Sequence, residues 1–473
     1  MRPLARTLRT ALALAALLAF AAPAFAQAAV RVGFVFSDGN VPGTLRAYKA
    51  LLDERPDLRG QVSLTFLTES TFDDASPQEL SESNVLLLDV MNQQMLDRFN
   101  DKHRVDLIAA VRRKGTVLAI GEGVLPRQRY ADQGVVFDDT ARAFWAHLGF
   151  ANQLGLLKLA IARAGVKGLT IPKPEPSLAF GYYYPDGRTG RVFETWDEFA
   201  AWRRAHGKAG RAGAPRVAVG FYKASYYTGE MELVDAVIAE TERRGAEAVP
   251  YFGYPDAEAA RRLLADPAGG ARADVVLALL FRFAGPEASP ILQGLDIPVI
   301  NLVSLYGRTE QEWRASSTGL SFFEGTFQVA VPELAGLVAP TVIGSQEKVR
   351  DPESGLTVVT RKPLQDQVAK AVRRGLRYAA LRSKANREKR VAIVFYDYPA
   401  GKANIGASYL NVAESIARIL QRLAAEGYDV GASVRSTGAG STTGSTFTGT
   451  SVLNDLAAKA RNIAGYAPGE LQA

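Results

Sequence analysis

Apolar residues fall in short unbroken runs along most of the chain, and stretches with helical spacing separate them. Residues 30–36 form the first such run, closed by the turn signal Ser37-Asp38-Gly39-Asn40. Residues 44–54 then carry helical spacing. Residues 62–67 and 85–90 read as further strands, 95–113 as a helix, and 116–120 as a strand closed by Gly121-Glu122-Gly123. Strands that are apolar at consecutive positions are covered on both faces, so their alternation with helices predicts a mostly parallel, doubly wound sheet. Residues 141–164 read as one long helix leaving this region.

Pro172, Pro174 and Pro176 mark a break, followed by an aromatic loop, Phe180-Gly181-Tyr182-Tyr183-Tyr184-Pro185-Asp186-Gly187. An amphipathic helix at 196–206 leads to a Gly/Ala/Arg linker at 207–215. The strand–helix pattern then resumes. Strands are expected at 217–222, 248–252, 274–280 and 297–302, with helices at 230–244 and 257–265. A strand near 327–331 and a helix at 364–381 follow. The last stretch offers strands at 390–395 and 428–434, helices at 407–426 and 452–463, and a Gly/Ser/Thr-rich segment at 436–450. Two parallel strands do not make a stable sheet. This last unit therefore reads as incomplete, or as needing another chain. The fold class is α/β and multi-domain, with doubly wound, mostly parallel, flavodoxin-like units. Its expected divisions are 1–26, 27–170, 171–215, 216–345 and 346–473.

The N-terminus changes the picture of where the chain works. Arg2, Arg6 and Arg9 precede an uncharged apolar run at 11–20, and Ala24-Phe25-Ala26 is a small-x-small cleavage site. This predicts a Sec-type signal peptide cut after Ala26, and a periplasmic or secreted protein. A membrane anchor is the alternative, but the run is short of the roughly 20 residues a span needs. Composition is that of a globular protein, 47% hydrophobic and 22% charged. The formal charge of +7 includes the three signal arginines. The remainder suits an anionic small ligand and does not call for nucleic acid. Cysteine is absent, which excludes disulfides, thiolate metal sites and cysteine nucleophiles.

Motif chemistry is sparse. There is no P-loop, no His-Glu-x-x-His and no Gly-x-Ser-x-Gly. His103, His147 and His206 are far apart and lack metal-ligand spacing. The informative residues follow strands, because ligands of open α/β sheets bind outside the strands' carboxyl ends. Tyr222, Lys223, Tyr226 and Tyr227 follow one strand, Arg282 another, and Asn301 and Tyr306 a third. They would set aromatic faces and cations around one crevice, or the tyrosines cap the core and Lys223 is solvated. Gly401-Lys402-Ala403-Asn404-Ile405-Gly406 precedes a helix. Its N–H groups and Lys402 suit a carboxylate or phosphate, or it is an ordinary turn.

Several of these stretches resemble one family, the cobaltochelatase large subunit (CobN) and the magnesium chelatase H subunit. The resemblance rests on Leu295-Asp296-Ile297-Pro298-Val299-Ile300, Glu312-Trp313-Arg314-Ala315-Ser316, Gln328-Val329-Ala330-Val331-Pro332-Glu333-Leu334 and Lys389-Arg390-Val391-Ala392-Ile393. It continues through Tyr398-Pro399 and the 401–406 loop to Asn411. It is strong from about 216 to 430 and covers only the N-terminal part of such a subunit. The resemblance implies a tetrapyrrole substrate, a porphyrin or corrin ring, and a divalent metal: cobalt, magnesium or iron. It further implies ATP-hydrolysing partner subunits or a companion chain carrying the C-terminal portion, where the relatives' proposed metal-handling Glu and His lie. If active, the protein would be a nitrogen–metal bond-forming ligase. Taken with the strand-end and loop readings above, it gives the ligand-binding set Tyr222, Lys223, Tyr226, Arg282, Asn301, Trp313, Glu333, Lys402 and Asn404, with no catalytic or metal residue assigned. Ala335 stands where relatives usually carry an acidic residue, and Tyr184-Pro185 where they often carry His-Pro. A flat apolar disc bearing carboxylates suits aromatic faces and cationic clamps. Export suggests alternatives: a non-enzymatic periplasmic tetrapyrrole binder in haem or cobalamin uptake, or a generic periplasmic solute-binding protein.

Overall fold

The computed structural model describes residues 30–68, 77–90, 104–121, 125–187, 190–279, 288–352, 354–394, 409–431 and 448–459, with a few single positions between them. Residues 1–29, Arg282 and residues 401–406 lie outside the described residues. The chain divides into two compact units, Met1–Leu376 and Arg377–Ala473.

The first unit contains two sheets. Strands β1 (Val30–Val35), β2 (Val62–Leu67), β3 (Val85–Leu88) and β4 (Thr116–Ala119) pair in parallel in the order β2-β1-β3-β4. Side chains alternate between faces along each strand. Val32, Phe34, Val85, Leu87 and Leu118 join a core with helices α1 (Val41–Glu54), α3 (Asp139–His147) and α4 (Gly149–Arg163). Val35, Leu86, Leu88, Val117 and Ala119 face the opposite core with α2 (Arg104–Arg112). Both faces are buried, which is why these strands read as unbroken apolar runs.

The helix expected over 141–164 is two helices. The chain turns at Leu148 (φ 48°) and Gly149 (φ 82°), in the left-handed region. The Asn152 side chain holds the break: it donates to the Leu148 and Glu175 carbonyls and accepts from the Glu175 N–H, each at 2.8 Å.

The second sheet has the order β12-β11-β10-β9-β7-β8-β5-β6. Its centre is parallel: β7 (Arg216–Tyr222), β8 (Glu247–Gly253), β9 (Val275–Leu279), β10 (Val299–Ser304) and β11 (Val338–Arg350). Renumbered from β7, these five strands run 2-1-3-4-5, the flavodoxin-like order, with its reversal between β7 and β9. Helices α5 (Trp196–Ala205), α6 (Lys223–Thr228), α7 (Glu232–Arg243) and α8 (Asp256–Leu264) belong to this region.

The sheet reaches beyond the 216–345 span expected for it. The aromatic segment expected to be a loop is strand β5 (Phe180–Tyr184), antiparallel to β8 and to β6 (Arg191–Phe193). Aromatic side chains fit a pleated, half-covered surface well. Tyr182 and Tyr184 join the core beneath α5, while Tyr183 faces Phe221 and Tyr226 on the other side. At the opposite edge β11 forms a hairpin with β12 (Thr357–Pro363), which no sequence pattern announced.

The strand expected near 327–331 is a π-helical turn, Thr326–Ala330. A capping box at Ser321 and Glu324 starts a helical turn just before it, and Val331–Leu334 continues one just after. The local backbone bonds are therefore already helical. Helix α9 (Gln365–Ser383) closes the sheet's flank from its first half, with Val368, Ala371 and Val372 buried.

In the second unit α10 (Val412–Ala425) and α11 (Gly449–Lys459) pack through Val412, Ile416, Ala417 and Val452. The strands expected at 390–395 and 428–434 are absent from the described parts of those segments. Val391 and Val394 are exposed, with no ladder partner among the described residues. No described helix is long and apolar enough to cross a membrane.

Candidate functional site

Strand order reverses between β7 and β9, so the carboxyl ends of these strands open a crevice. Tyr222 ends β7 and Lys223 starts α6. Beside them lies an open pocket of about 350 Å³, lined by Tyr222, Lys223, Tyr227, Tyr254, Ala179 and the α3–α4 junction at His147 and Leu148. The turn at Leu148 and Gly149 thus brings the first sheet's helices to the second sheet's crevice.

The walls are aromatic. Tyr254 is exposed and meets Tyr222 edge-on, with ring centroids 6.2 Å apart. The Tyr227 hydroxyl accepts from the Leu178 N–H at 2.8 Å, which fixes its ring. The Lys223 ammonium lies 5.3 Å from the centre of that ring, and burial pushes its pKa down. A cation over an aromatic face is attracted by the ring's negative face. Tyr226 packs behind this wall against Tyr183, Tyr227 and Phe252. The Tyr183 hydroxyl donates to Asp235 at 2.9 Å, and burial pushes the Asp235 carboxyl up to about 6. Tyr222 and Lys223 therefore line open space, whereas Tyr226 supports it.

The other expected site residues lie elsewhere. Asn301 is buried on β10, and its amide donates to the Gln328 carbonyl at 2.6 Å, tying the π-helical turn to the sheet. Trp313 sits on the helical turn Glu310–Ala315 with the Arg314 guanidinium 5.5 Å from its ring centre. Glu333 is exposed on Val331–Leu334. None of the three lines the pocket. Arg282, Lys402 and Asn404 lie outside the described residues.

Sequence reasoning passed over two residues at the floor of the crevice. Tyr251 and Asp256 line a second, smaller cavity beside Gly220, Phe221, Gly253 and Leu279. Burial pushes the Asp256 carboxyl up to about 7. The run Tyr251-Phe252-Gly253-Tyr254-Pro255-Asp256 reads as a strand, a turn and a helix start, so its burial leaves no mark in the pattern. Among the described residues no group of three or more His, Asp or Glu is placed to hold a metal ion.

The CobN/magnesium chelatase family model matches residues 142–448. The chain is 32% identical over 307 residues to the chloroplastic magnesium-chelatase subunit ChlH of Oryza sativa subsp. indica, covering 61% of this chain and 21% of that protein. It is 29% identical over 325 residues to the aerobic cobaltochelatase subunit CobN of a Sinorhizobium species, covering 65% and 25%. Its fold matches the catalytic subunit of cobaltochelatase from Mycobacterium tuberculosis with a TM-score of 0.56 at 20% identity, covering 84% of this chain and 31% of that one. The chain thus spans between a fifth and a third of these proteins.

Proposed function

Because the chain belongs to the CobN/magnesium chelatase family, we propose that it binds a tetrapyrrole, a porphyrin or corrin ring, for insertion or removal of a divalent metal. The observation that carries this reading is the open pocket at the β7 and β8 carboxyl ends, inside the family-matched span, with Tyr222, Tyr254 and Lys223 on its walls. Aromatic faces receive a flat ring, and a cation answers its carboxylates. The metal, cobalt, magnesium or iron, is cargo in this reading. Partner subunits or a companion chain would supply energy and the remaining chemistry.

The residues 1–26 support a second reading. A Sec-type signal would place the protein outside the cytoplasm, away from ATP. There it would carry, load or strip a tetrapyrrole during uptake rather than insert metal at the expense of ATP.

The test is a titration of the chain from Gln27 with metal-free and metallated porphyrins and corrinoids, followed by absorbance and tryptophan quenching. Saturable binding is expected, weakened about tenfold or more by Tyr222→Ala and by Lys223→Ala, in the range of a lost stacking or charged contact. Absence of binding to every ring by a folded chain overturns the reading.

A further inference from the structure

Two polar groups beneath the crevice find no partner in the protein. Tyr251 is 2% exposed, and its hydroxyl makes no hydrogen bond. The Asp256 Oδ1 is likewise buried and unpaired. Both border a cavity of about 10 Å³ at the reversal of strand order, where Gly220, Gly253 and Leu279 close the sides. Gly220 makes room for the phenol, since a Cβ there would stand 2.6 Å from the Tyr251 hydroxyl oxygen. The space is that of one oxygen-sized atom. Buried polar atoms are nearly always satisfied, so an unpaired couple facing a cavity marks a place where something else supplies the partner.

We propose that this niche receives one carboxylate oxygen of the ligand held in the crevice, with the Tyr251 hydroxyl and the Asp256 carboxyl both donating to it. The inference rests on the tetrapyrrole reading, whose ring substituents supply the carboxylate. A phenol donates one hydrogen bond, and a carboxyl donates one only while protonated. Desolvation keeps Asp256 protonated towards neutrality.

No charged neighbour among the described residues offsets this. The β7 and β9 residues at the niche are Gly220, Phe221 and Leu279, none ionisable. On α8, Glu258 is engaged by Arg261 and Arg262, and Arg262 lies over the Phe180 ring. Lys223 lines the neighbouring pocket with Tyr222 and Tyr254. On β8, Tyr251 is the ionisable group at the niche, and burial pushes its pKa up, away from neutrality. When Asp256 ionises it stops donating and repels an incoming carboxylate. Binding must therefore weaken as pH rises through about 7.

The experiment titrates the chain from Gln27 with metal-free protoporphyrin and with its dimethyl ester between pH 6 and pH 8.5. The diacid is expected to lose about tenfold in affinity across this range, the worth of one charge-linked hydrogen bond. The ester should show no such slope. Asp256→Asn should still bind and flatten the diacid's slope, and Tyr251→Phe should weaken the diacid alone. Equal behaviour of diacid and ester, with Asp256→Asn leaving the profile unchanged, means the niche holds only a structural water and overturns the proposal. If neither ring binds, the tetrapyrrole reading has failed, and propionate decides the niche separately. Thermal stabilisation by millimolar propionate at pH 6, lost in Asp256→Asn, upholds the niche, and its absence overturns it.

Discussion

The two sheets of the first unit share a topology and differ at the point where that topology offers a ligand site. In the first sheet the reversal falls between β1 and β3, and Asp89 follows β3 directly. The Trp145 indole donates to its carboxyl, and burial pushes that carboxyl up to about 6. Phe36 packs against Trp145 at 6.0 Å. Gly121 approaches so closely that a Cβ there would lie 1.8 Å from the Asp89 Oδ1. Side chains have sealed this reversal. In the second sheet the reversal falls between β7 and β9, where Asp256 keeps an unpaired oxygen beside an oxygen-sized cavity, and an open pocket lies at the carboxyl ends of β7 and β8. The family match begins at residue 142, after the strands of the first sheet and before all those of the second. Strand order gives each sheet a crevice, and the side chains at its mouth decide whether a ligand can enter.

The strongest way to break this comparison is to unseal the first sheet. Trp145→Ala deletes a large buried aromatic and leaves the Asp89 carboxyl without its donor. The expected loss is about 3–5 kcal/mol, the usual cost of emptying an aromatic core site. Urea unfolding measures it. A loss below about 1 kcal/mol, within the range of ordinary surface changes, would show that Trp145 does not plug the first crevice.

The next test uses acidity. Asp89, Asp235 and Asp256 all have pKa values raised by burial, to about 6, 6 and 7. Between the unfolded value near 4 and these folded values the native state binds more protons than the unfolded one. Stability is therefore full below about pH 4, falls as pH rises through this window, and levels off above about 7. Asp256→Asn should remove its share and raise stability at pH 8 by roughly 2–4 kcal/mol, since one pKa unit is worth about 1.4 kcal/mol. Thermal melts of wild type and variant from pH 5 to pH 8 check this. Parallel curves would show that Asp256 is solvated and that the second crevice has no buried acid.

The sheets were legible in the sequence because buried parallel strands leave unbroken apolar runs. The strand at Val62–Leu67 carries its expected bounds, and those expected at 30–36, 85–90, 116–120, 217–222, 248–252, 274–280 and 297–302 shift by a residue or two. What escaped depends on partners remote in sequence. The turn at Leu148 is held by Asn152 and by the Glu175 backbone. The aromatic run becomes a strand because β8 presents an edge to it. The segment expected as a strand near 327–331 lies between two helical turns. At the site, Tyr222 and Lys223 were visible as residues following a strand. Asp256 was not, because an aspartate after proline reads as a solvated helix start and only the packed structure shows its Oδ1 buried.

The smallest expected effect sharpens the comparison most finely, because the same change is made at both reversals. In Gly121→Ala the new methyl meets the Asp89 Oδ1 at 1.8 Å, its Cγ at 2.7 Å and its Cα at 3.2 Å. The carboxyl cannot swing away without abandoning the Trp145 indole, so overpacking should cost about 2–3 kcal/mol. In Gly220→Ala the methyl meets the far end of the Tyr251 ring, with the hydroxyl at 2.6 Å and the next carbon at 2.9 Å. That hydroxyl has no hydrogen bond to lose and an empty space beside it. The ring can yield into the cavity, and the cost should be near the lower end of overpacking, about 1 kcal/mol. Paired urea melts read the difference. Equal costs would mean that the second floor is as rigid as the first, and that its cavity is a packing defect rather than a place prepared for a ligand atom.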